Sequence, residues 1–200
     1  MLKRFFDLIV SFTILIITAP LLLLIYILIK LDSKGPALFL QERAGKGGKP
    51  FMIYKFRTMI VNAAEAGYYT GKDDHRITRV GKFLRKTSLD EIPQIFNILK
   101  GEMTIVGPRP TLMYQIKEYN EHQWKRLLVK PGVTGWAQVN GRNSLSWPER
   151  IELDVWYVEN YSFLLDLKIF LMTFNVWIKG EGVYAEKEKF IINNKNTKEL

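Results

Sequence analysis

The sequence predicts an α+β protein: a mostly helical domain with a small β-hairpin, preceded by an apolar membrane helix at the N-terminus. Three observations predict this fold class. The chain opens with an uncharged apolar stretch, two apolar runs flank the turn-rich sequence GKGGKP, and further apolar runs have helical spacing. We divide the chain into a membrane segment (1–31), one folded domain with helices at the membrane interface (32–182) and a polar tail (183–200).

The composition indicates anionic partners. The 200 residues include 29 Lys and Arg against 20 Asp and Glu, which gives a net charge of +9. No recognition motif accompanies this charge, and many basic residues directly follow the apolar stretch, so we expect anionic phospholipid and phosphorylated substrates rather than nucleic acid. Because the chain has no cysteine, a disulfide framework, a thiolate zinc site and a cysteine nucleophile are excluded.

The uncharged stretch, residues 8–29, is long enough to reach through a membrane. As a helix its 22 residues extend about 33 Å. Pro20 removes a backbone donor near the middle and predicts a kink. Basic residues flank both ends, and a straight span would leave one flank on the wrong side of the membrane. The residues alone leave two alternatives, a kinked span and a hairpin that returns to the same face.

The predicted β-hairpin comprises the two strands ALFLQERAG and FMIYKFRTM. Alternation along the second strand predicts an apolar face with Met52, Tyr54 and Phe56, and an opposite face with Lys55 and Arg57 beside Ile53. The two cations are candidate phosphate ligands, and ordinary surface cations are the alternative.

An adjacent acid pair, Asp90 and Glu91, follows a basic segment that ends near Arg85. Ser88 and Glu91 have the spacing of a capping box, but Pro93 would then fall in the second turn. We therefore predict a helix that begins at Asp90 and ends at Gly101. Two carboxylates at a helix start can bind magnesium, or one can attack phosphorus while the other holds the metal.

Arg109 lies between two prolines in the sequence GPRP, which restricts its backbone and suits it to bind a pyrophosphate. Further along, Trp136 or Trp147 could stack on a base, although packing is the commoner use of buried tryptophan. Glu152 and Asp154 form a second acidic cluster. The last helix has a Ser162 cap and is predicted either to lie in the membrane interface or to pack in the core.

Together, YKFRTM, RITRVGKFLRKTSLDEIPQIFNILKGEMTIVGPRP and KPGVTGWAQVNGR closely resemble the small monotopic phosphoglycosyl transferases of bacteria, the group that includes the campylobacter enzyme of N-linked glycan assembly. The resemblance covers residues 2–182. It implies transfer of a sugar 1-phosphate, from a UDP-sugar that we expect to be N-acetylated, to a polyprenyl (undecaprenyl) phosphate, with release of UMP. It also implies a covalent aspartyl intermediate, Mg²⁺, and a catalytic domain on the cytoplasmic face of the bacterial inner membrane.

Carried over to this chain, the resemblance makes Asp90 the nucleophile and Glu91 its partner, with both as candidate ligands of Mg²⁺. Phosphate binding falls to Arg109, Arg85 and Lys55, and further candidate site residues are Arg57, Arg142, Glu152 and Asp154. The resemblance also favours the re-entrant hairpin, broken at Pro20. Members of the family carry Ser-Pro at the break, whereas this chain has Ala19-Pro20, and Thr18 is the candidate replacement for the serine hydroxyl.

Two alternative functions remain at this stage. A membrane-bound glycosyltransferase would transfer only the sugar and release UDP, and a non-catalytic membrane adaptor would release neither product. The sequence predicts neither the donor sugar nor the glycan pathway, and it leaves the oligomeric state unknown.

Overall fold

The fold is that of a computed structural model, which describes residues 1–63 and 74–179. The chain forms helices and two small two-stranded sheets, which is compatible with the α+β prediction. The tail predicted at 183–200 lies outside the described residues. The helices and strands are α1 (Leu2–Asp32), β1 (Leu38–Ala44), β2 (Pro50–Phe56), α2 (Arg79–Thr87), α3 (Ile95–Lys100), β3 (Thr104–Val106), α4 (Glu121–Trp124), β4 (Gly132–Thr134), α5 (Trp136–Val139), α6 (Trp147–Glu159) and α7 (Phe163–Lys179).

The predicted β-hairpin is confirmed, with β1 and β2 antiparallel from the Leu38–Phe56 pair to the Ala44–Pro50 pair. The alternation along β2 separates Met52 from Ile53 as predicted, and the face that meets the core is the one that carries Ile53 and Lys55. Ile53 is buried in the core, whereas Met52 is 43% exposed. The domain core lies against the side of β2 that carries Ile53, and this side also directs Lys55 toward the interior.

A parallel pair, β3 and β4, fixes the sequence GPRP. The Gly107 N–H donates to Thr134 O and the Gly132 N–H donates to Pro108 O, both at 2.8 Å. The backbones approach so closely that a Cβ on Gly107 would lie 2.5 Å from Lys130 O. Only glycine fits there, so the strand pair holds the start of the arginine loop in one position.

One buried amide joins α3 to the hairpin. The Asn97 side chain is fully buried; its Oδ1 accepts from Tyr54 N at 3.0 Å, and its Nδ2 donates to Met52 O at 2.7 Å. Every hydrogen-bonding partner of a buried amide matters, because an unpaired one costs about 1–3 kcal/mol. Asn97 therefore sets the distance between β2 and the turn that precedes α3.

Helix α7 begins at the predicted Ser162 cap, whose Oγ accepts from Leu165 N at 3.1 Å. One side enters the core through Ile169, which is fully buried. Another side exposes Leu164 at 77% and Leu171 at 58%. The helix thus has a core face and an apolar face free to contact a membrane.

Both ends of α1 bind the folded domain. Near its start, Asp7 is 3% exposed and accepts from Thr104 Oγ1 at 2.7 Å and from the Ile105 N–H at 2.9 Å. Near its end, Asp32 accepts from the Val80 N–H at 3.0 Å, and Ile29 is buried. The ends are therefore the docked parts of the helix.

The middle of α1 is exposed and apolar: Ile16 is 73% and Leu23 63% exposed. Among the described residues, α1 is the helix long and apolar enough to cross a membrane. It is assigned as one helix through Pro20, so two separate arms are not observed. The Thr18 hydroxyl donates to Ile14 O at 2.7 Å, and hence does not satisfy the Ile16 carbonyl that Pro20 leaves without its N–H donor.

We expect Asp7→Ala to destabilise the protein by about 2–4 kcal/mol, because Thr104 and Ile105 would keep buried donors without an acceptor. Thermal unfolding in detergent measures the change. Ser11→Ala is the matched control one turn later, because the Ser11 hydroxyl is buried and has no partner among the described residues. Equal melting temperatures for the two variants would show that Asp7 does not dock the helix.

Candidate active site

Two cationic side chains from separate parts of the chain meet at one carboxylate. Glu91 Oε1 accepts from Lys55 Nζ at 2.7 Å and from Arg109 Nη2 at 2.5 Å, and Glu91 Oε2 accepts from Arg109 Nη1 at 3.3 Å. The Lys55 and Glu91 side chains are 17% and 15% exposed, and that of Arg109 is 41% exposed. The hairpin, the acid pair and the sequence GPRP therefore converge, as the sequence predicts.

The acid pair lies on a 3₁₀ helix, Leu89–Gln94, that leads into α3. The predicted α-helix start at Asp90 is wrong, because the α-helix begins at Ile95, but the predicted Gly101 end is confirmed with a φ of 84°. The capping box does not form: Ser88 is left-handed, with a φ of 57°, and makes no side-chain cap. Glu91 is thus available for the ion pairs.

The loop that carries Arg109 is held through its own carbonyls. Arg126 Nη2 donates to Arg109 O at 3.1 Å, and Arg43 Nη1 donates to Pro110 O at 3.2 Å. The Ala44 N–H donates to Thr111 O at 2.9 Å. These contacts and the flanking prolines fix the backbone before any ligand binds, so less entropy is lost when the guanidinium binds an anion.

Asp90 differs from its neighbour because its carboxylate makes no hydrogen bond or ion pair with the part of the chain that the structure describes, and it lines a cavity. Burial, followed by the negative charge of Glu91, raises the pKa of Asp90 to about 6, against the opposing effect of Lys55, Arg85 and Arg109. Asp90 is therefore ionised at neutral pH and has a free oxygen for nucleophilic attack.

Glu91 and Lys55 shift in the opposite direction. Burial acts to raise the pKa of Glu91, but Arg109 and Lys55 hold this pKa well below its ordinary value. Burial lowers the pKa of Lys55, which Glu91 partly offsets. Glu91 thus stays ionised and holds the two cations, while the Asp90 carboxylate has no such partner.

The cavity has a volume of about 700 Å³ and is strongly cationic. Eight cationic side chains and three carboxylates line it, so positive charge is in excess where a phosphorylated ligand would bind. The cations are Arg43, Lys55, Arg57, Arg85, Arg109, Arg126, Arg142 and Arg150, and the acids are Asp90, Glu91 and Asp154.

Two further predicted residues lie beside the acid pair. Arg85 Nε donates to Thr58 Oγ1 at 2.8 Å, and Arg142 Nη2 donates to Ser88 Oγ at 3.2 Å. Both guanidinium groups line the cavity. Arg85, a predicted phosphate ligand, and Arg142, a further candidate site residue, therefore both lie at the cavity beside the acid pair.

The remaining predicted residues have other partners. Arg57 lines the cavity, but it donates to Ser33 O at 2.8 Å and to Lys34 O at 2.7 Å, which ties the end of α1 to the hairpin. Glu152 is a surface residue whose Oε2 lies 2.9 Å from His122 Nε2, and it does not line the cavity.

Asp154, in contrast, is 1% exposed and lines the cavity. Its Oδ2 accepts from Arg126 Nη2 at 2.5 Å. Asp154 and Glu152 do not form the acidic cluster that the sequence suggests, because side chains two residues apart on a helix point to different sides of it.

Neither tryptophan offers an open face to a base. Trp136 stacks on Trp156 at 5.0 Å between ring centroids. Trp147 is 8% exposed, and the guanidinium groups of Arg126 and Arg150 lie 5.6 and 5.5 Å from its ring centroid. Packing, the commoner use of buried tryptophan, accounts for both rings.

Sequence reasoning missed many of the residues that line the cavity, and four polar ones among them are notable. They carry no motif of their own and come from four different segments, so only the fold brings them together. They are Arg43, Arg126, Gln138 and Arg150.

The acids fit a metal ion only together with a substrate. Among residues 1–63 and 74–179, no group of three or more His, Asp or Glu side chains could hold a metal. Mg²⁺ commonly uses one or two carboxylates and completes its shell with phosphate oxygens and water. The free Asp90 carboxylate fits that pattern, whereas Glu91 already binds two cations.

The chain matches the family described as bacterial sugar transferase over residues 1–180. It is 47% identical over 182 residues to "Uncharacterized sugar transferase EpsL" of Bacillus subtilis. This match covers 91% of this chain and 90% of the relative.

Two other relatives have names that specify a reaction. "Undecaprenyl-phosphate galactose phosphotransferase" of Salmonella typhimurium is 40% identical over 92% of this chain. "UDP-N-acetylgalactosamine-undecaprenyl-phosphate N-acetylgalactosaminephosphotransferase" of Aeromonas hydrophila is 40% identical over 90% of this chain. The matches cover 42% and 44% of these two relatives, so the chain spans less than half of their length.

Proposed function

The chain belongs to the bacterial sugar transferase family and is a phosphoglycosyl transferase, and from this premise we propose the particular reaction that it catalyses. It transfers a sugar 1-phosphate from a UDP-sugar to undecaprenyl phosphate, gives undecaprenyl diphosphate sugar and releases UMP. The observation that carries the proposal is the ionised, unpaired carboxylate of Asp90 beside an ion-paired Glu91 in a cationic cavity.

The reaction proceeds in two displacements at phosphorus. An Asp90 oxygen attacks the phosphorus that bears the sugar, an Asp90 O–P bond forms, and the bond to the leaving UMP oxygen breaks. An oxygen of the polyprenyl phosphate then attacks the same phosphorus and releases Asp90. The raised pKa of Asp90 favours the first step, because the carboxylate is more basic than an ordinary aspartate and still ionised at pH 7.

The surrounding cations stabilise the charge of both displacements. Arg109 uses two of its nitrogens on Glu91 and keeps further N–H groups for phosphate oxygens. Lys55 and Arg85 also lie close enough to Asp90 to lower its pKa. Their positions are fixed before substrate binds, which is the condition for effective electrostatic stabilisation.

Mg²⁺ belongs to the proposal. The unpaired Asp90 carboxylate, with Glu91 beside it, would hold the ion together with phosphate oxygens of the substrate. When bound, the ion would neutralise charge on the phosphates and the leaving UMP.

We propose that α1 re-enters the membrane and returns to the cytoplasmic face. A helix of this length extends about 46 Å, yet Asp7 and Asp32 at its two ends bind the same domain. A crossing helix would separate those contacts by the whole bilayer. The exposed apolar middle around Pro20 is then the part that enters the lipid.

The donor sugar is the open part of the proposal. The names of the Salmonella and Aeromonas relatives specify galactose and N-acetylgalactosamine. We keep the N-acetylated donor predicted from the resemblance and expect UMP to appear with UDP-N-acetylhexosamines. The family match gives no support to the alternative of a non-catalytic adaptor. The other alternative, a glycosyltransferase that releases UDP, is distinguished by the following test.

The test is the uridine product formed by the purified protein in lipid particles with undecaprenyl phosphate and Mg²⁺. Each UDP-hexose is assayed beside its N-acetylated counterpart. UMP in equal amount to the lipid product is expected. Release of UDP would replace the proposal by simple glycosyl transfer, and UMP from UDP-hexoses alone would remove the N-acetyl preference.

A further inference from the structure

The cavity has two chemically different ends. At one end, β1 and the segment after β2 contribute apolar side chains that are 38–52% exposed: Leu38, Phe39, Leu40, Ile60 and Val61. At the other end, which we call the polar wall, α5, α6 and the turn between them contribute Gln138, Arg142, Asn143, Trp147, Arg150 and Asp154.

The apolar end suits the lipid acceptor. It adjoins the end of α1, where Ala37 and Phe56 pack on Ile25 and Ile29 of the membrane helix. A prenyl chain loses about 0.8 kcal/mol for each methylene that leaves an apolar environment. The acceptor must therefore approach from this end, and the polar wall is left for the nucleotide side of the donor.

The polar wall contains buried polar atoms that lack partners. Four of the eight buried side-chain nitrogen and oxygen atoms without a hydrogen bond in the described ranges lie on three of its side chains. They are Gln138 Nε2 and Oε1, Trp147 Nε1 and Asp154 Oδ1. Buried polar groups are nearly always paired, so this concentration at a cavity indicates a missing ligand.

The unpaired set matches a nucleoside. A pyrimidine presents a donor beside an acceptor along one edge of its ring, and a side-chain amide presents the complementary pair. The amide can turn over to suit uracil or cytosine, so it recognises the edge of the base rather than one pyrimidine. Trp147 adds a donor, and Asp154 adds an acceptor of the kind that ribose hydroxyls bind.

The wall also lies at the right place relative to the acid pair. Arg142 belongs to the wall and donates to Ser88 Oγ at 3.2 Å, two residues before Asp90. A donor whose sugar phosphate is at Asp90 would then place its nucleoside against the wall, with Arg109 and the Arg142 of the wall beside its phosphates.

We propose that the polar wall is the nucleoside subsite, in which the Gln138 amide pairs with the edge of the pyrimidine base and Trp147 Nε1 donates to the same nucleoside. The proposal rests on the proposed function, because it assigns the uridine of the donor and of the UMP product. It makes Gln138 a substrate-binding residue that carries no role in the chemical step.

The test compares the binding of UMP and ribose 5-phosphate to the full chain in detergent, by calorimetry. The wild type is expected to bind UMP at least about tenfold more tightly, because only UMP has a base to pair. Gln138→Leu keeps the side-chain size and should reduce this advantage about tenfold, with binding of ribose 5-phosphate unchanged. Trp147→Phe keeps an aromatic ring without the N–H and should weaken UMP in the same direction.

Asn140→Ala is the matched control, since Asn140 is an exposed amide two residues away that does not line the cavity. UMP binding equal to that of the wild type in Gln138→Leu and Trp147→Phe would overturn the assignment. The proposed function fails separately, when the wild type binds no UMP and releases none from any UDP-sugar.

Discussion

Asp90→Asn is expected to reduce turnover by about a thousandfold or more, because the amide cannot form the covalent bond to phosphorus. The measurement has two parts. One is UMP release in the complete assay, and the other is the intact mass of the protein after incubation with the UDP-sugar alone. In the absence of acceptor, the wild-type protein should gain the mass of one sugar phosphate, and the variant should gain no mass.

The variant should remain folded. Burial and Glu91 raise the pKa of Asp90, so at pH 8 the folded state holds an ionised carboxylate less favourably than water does, and a neutral amide removes this penalty. We expect a melting temperature equal to or above that of the wild type. A variant with full activity would remove Asp90 as the nucleophile, and one that is unfolded would assign it a structural role.

Glu91→Gln is expected to reduce the rate of the first half-reaction about a hundredfold, because Lys55 and Arg109 lose the carboxylate that holds them. The informative measurement is the pH dependence of the UMP burst without lipid acceptor, since the acceptor phosphate itself titrates near pH 6. In the wild type the rate should rise with pH through about 6, as Asp90 ionises.

In Glu91→Gln the midpoint should move to lower pH, because the negative charge that raises the pKa of Asp90 is gone. Glu152→Gln is the matched control, because Glu152 is an exposed acid paired with His122 outside the cavity. A slow Glu91→Gln variant with an unchanged midpoint would separate Glu91 from Asp90 and contradict the coupled site.

The sequence predicts the central part of the site because its signals are local. Adjacent acids, an arginine between prolines and a lysine at a strand end are visible without the fold, and the structure brings Lys55, Glu91 and Arg109 together. The β-hairpin and the Gly101 helix end are local for the same reason, since turn residues and glycine determine them.

Features that depend on tertiary packing could not be read in this way. Alternation in β2 predicts two faces but not which one meets the core; the structure shows that the face of Ile53 is buried and that Met52 is exposed. A 3₁₀ helix, Leu89–Gln94, precedes α3, and the partner of Glu152 is His122, 30 residues away. The polar wall combines segments that share no motif, and its unpaired atoms are visible only when the neighbours are known.

The two attachment points of α1 have a consequence for how often a substrate encounter succeeds. A domain held to a bilayer by one flexible point would swing and tilt, and each lipid phosphate would meet the acid pair, Asp90 and Glu91, at a random height and angle. Contacts at Asp7 and at Asp32 remove that freedom when the protein folds. The orientational entropy of the domain is then lost once, on folding, rather than at every turnover. The lipid acceptor has only to diffuse laterally in the membrane to reach the acid pair.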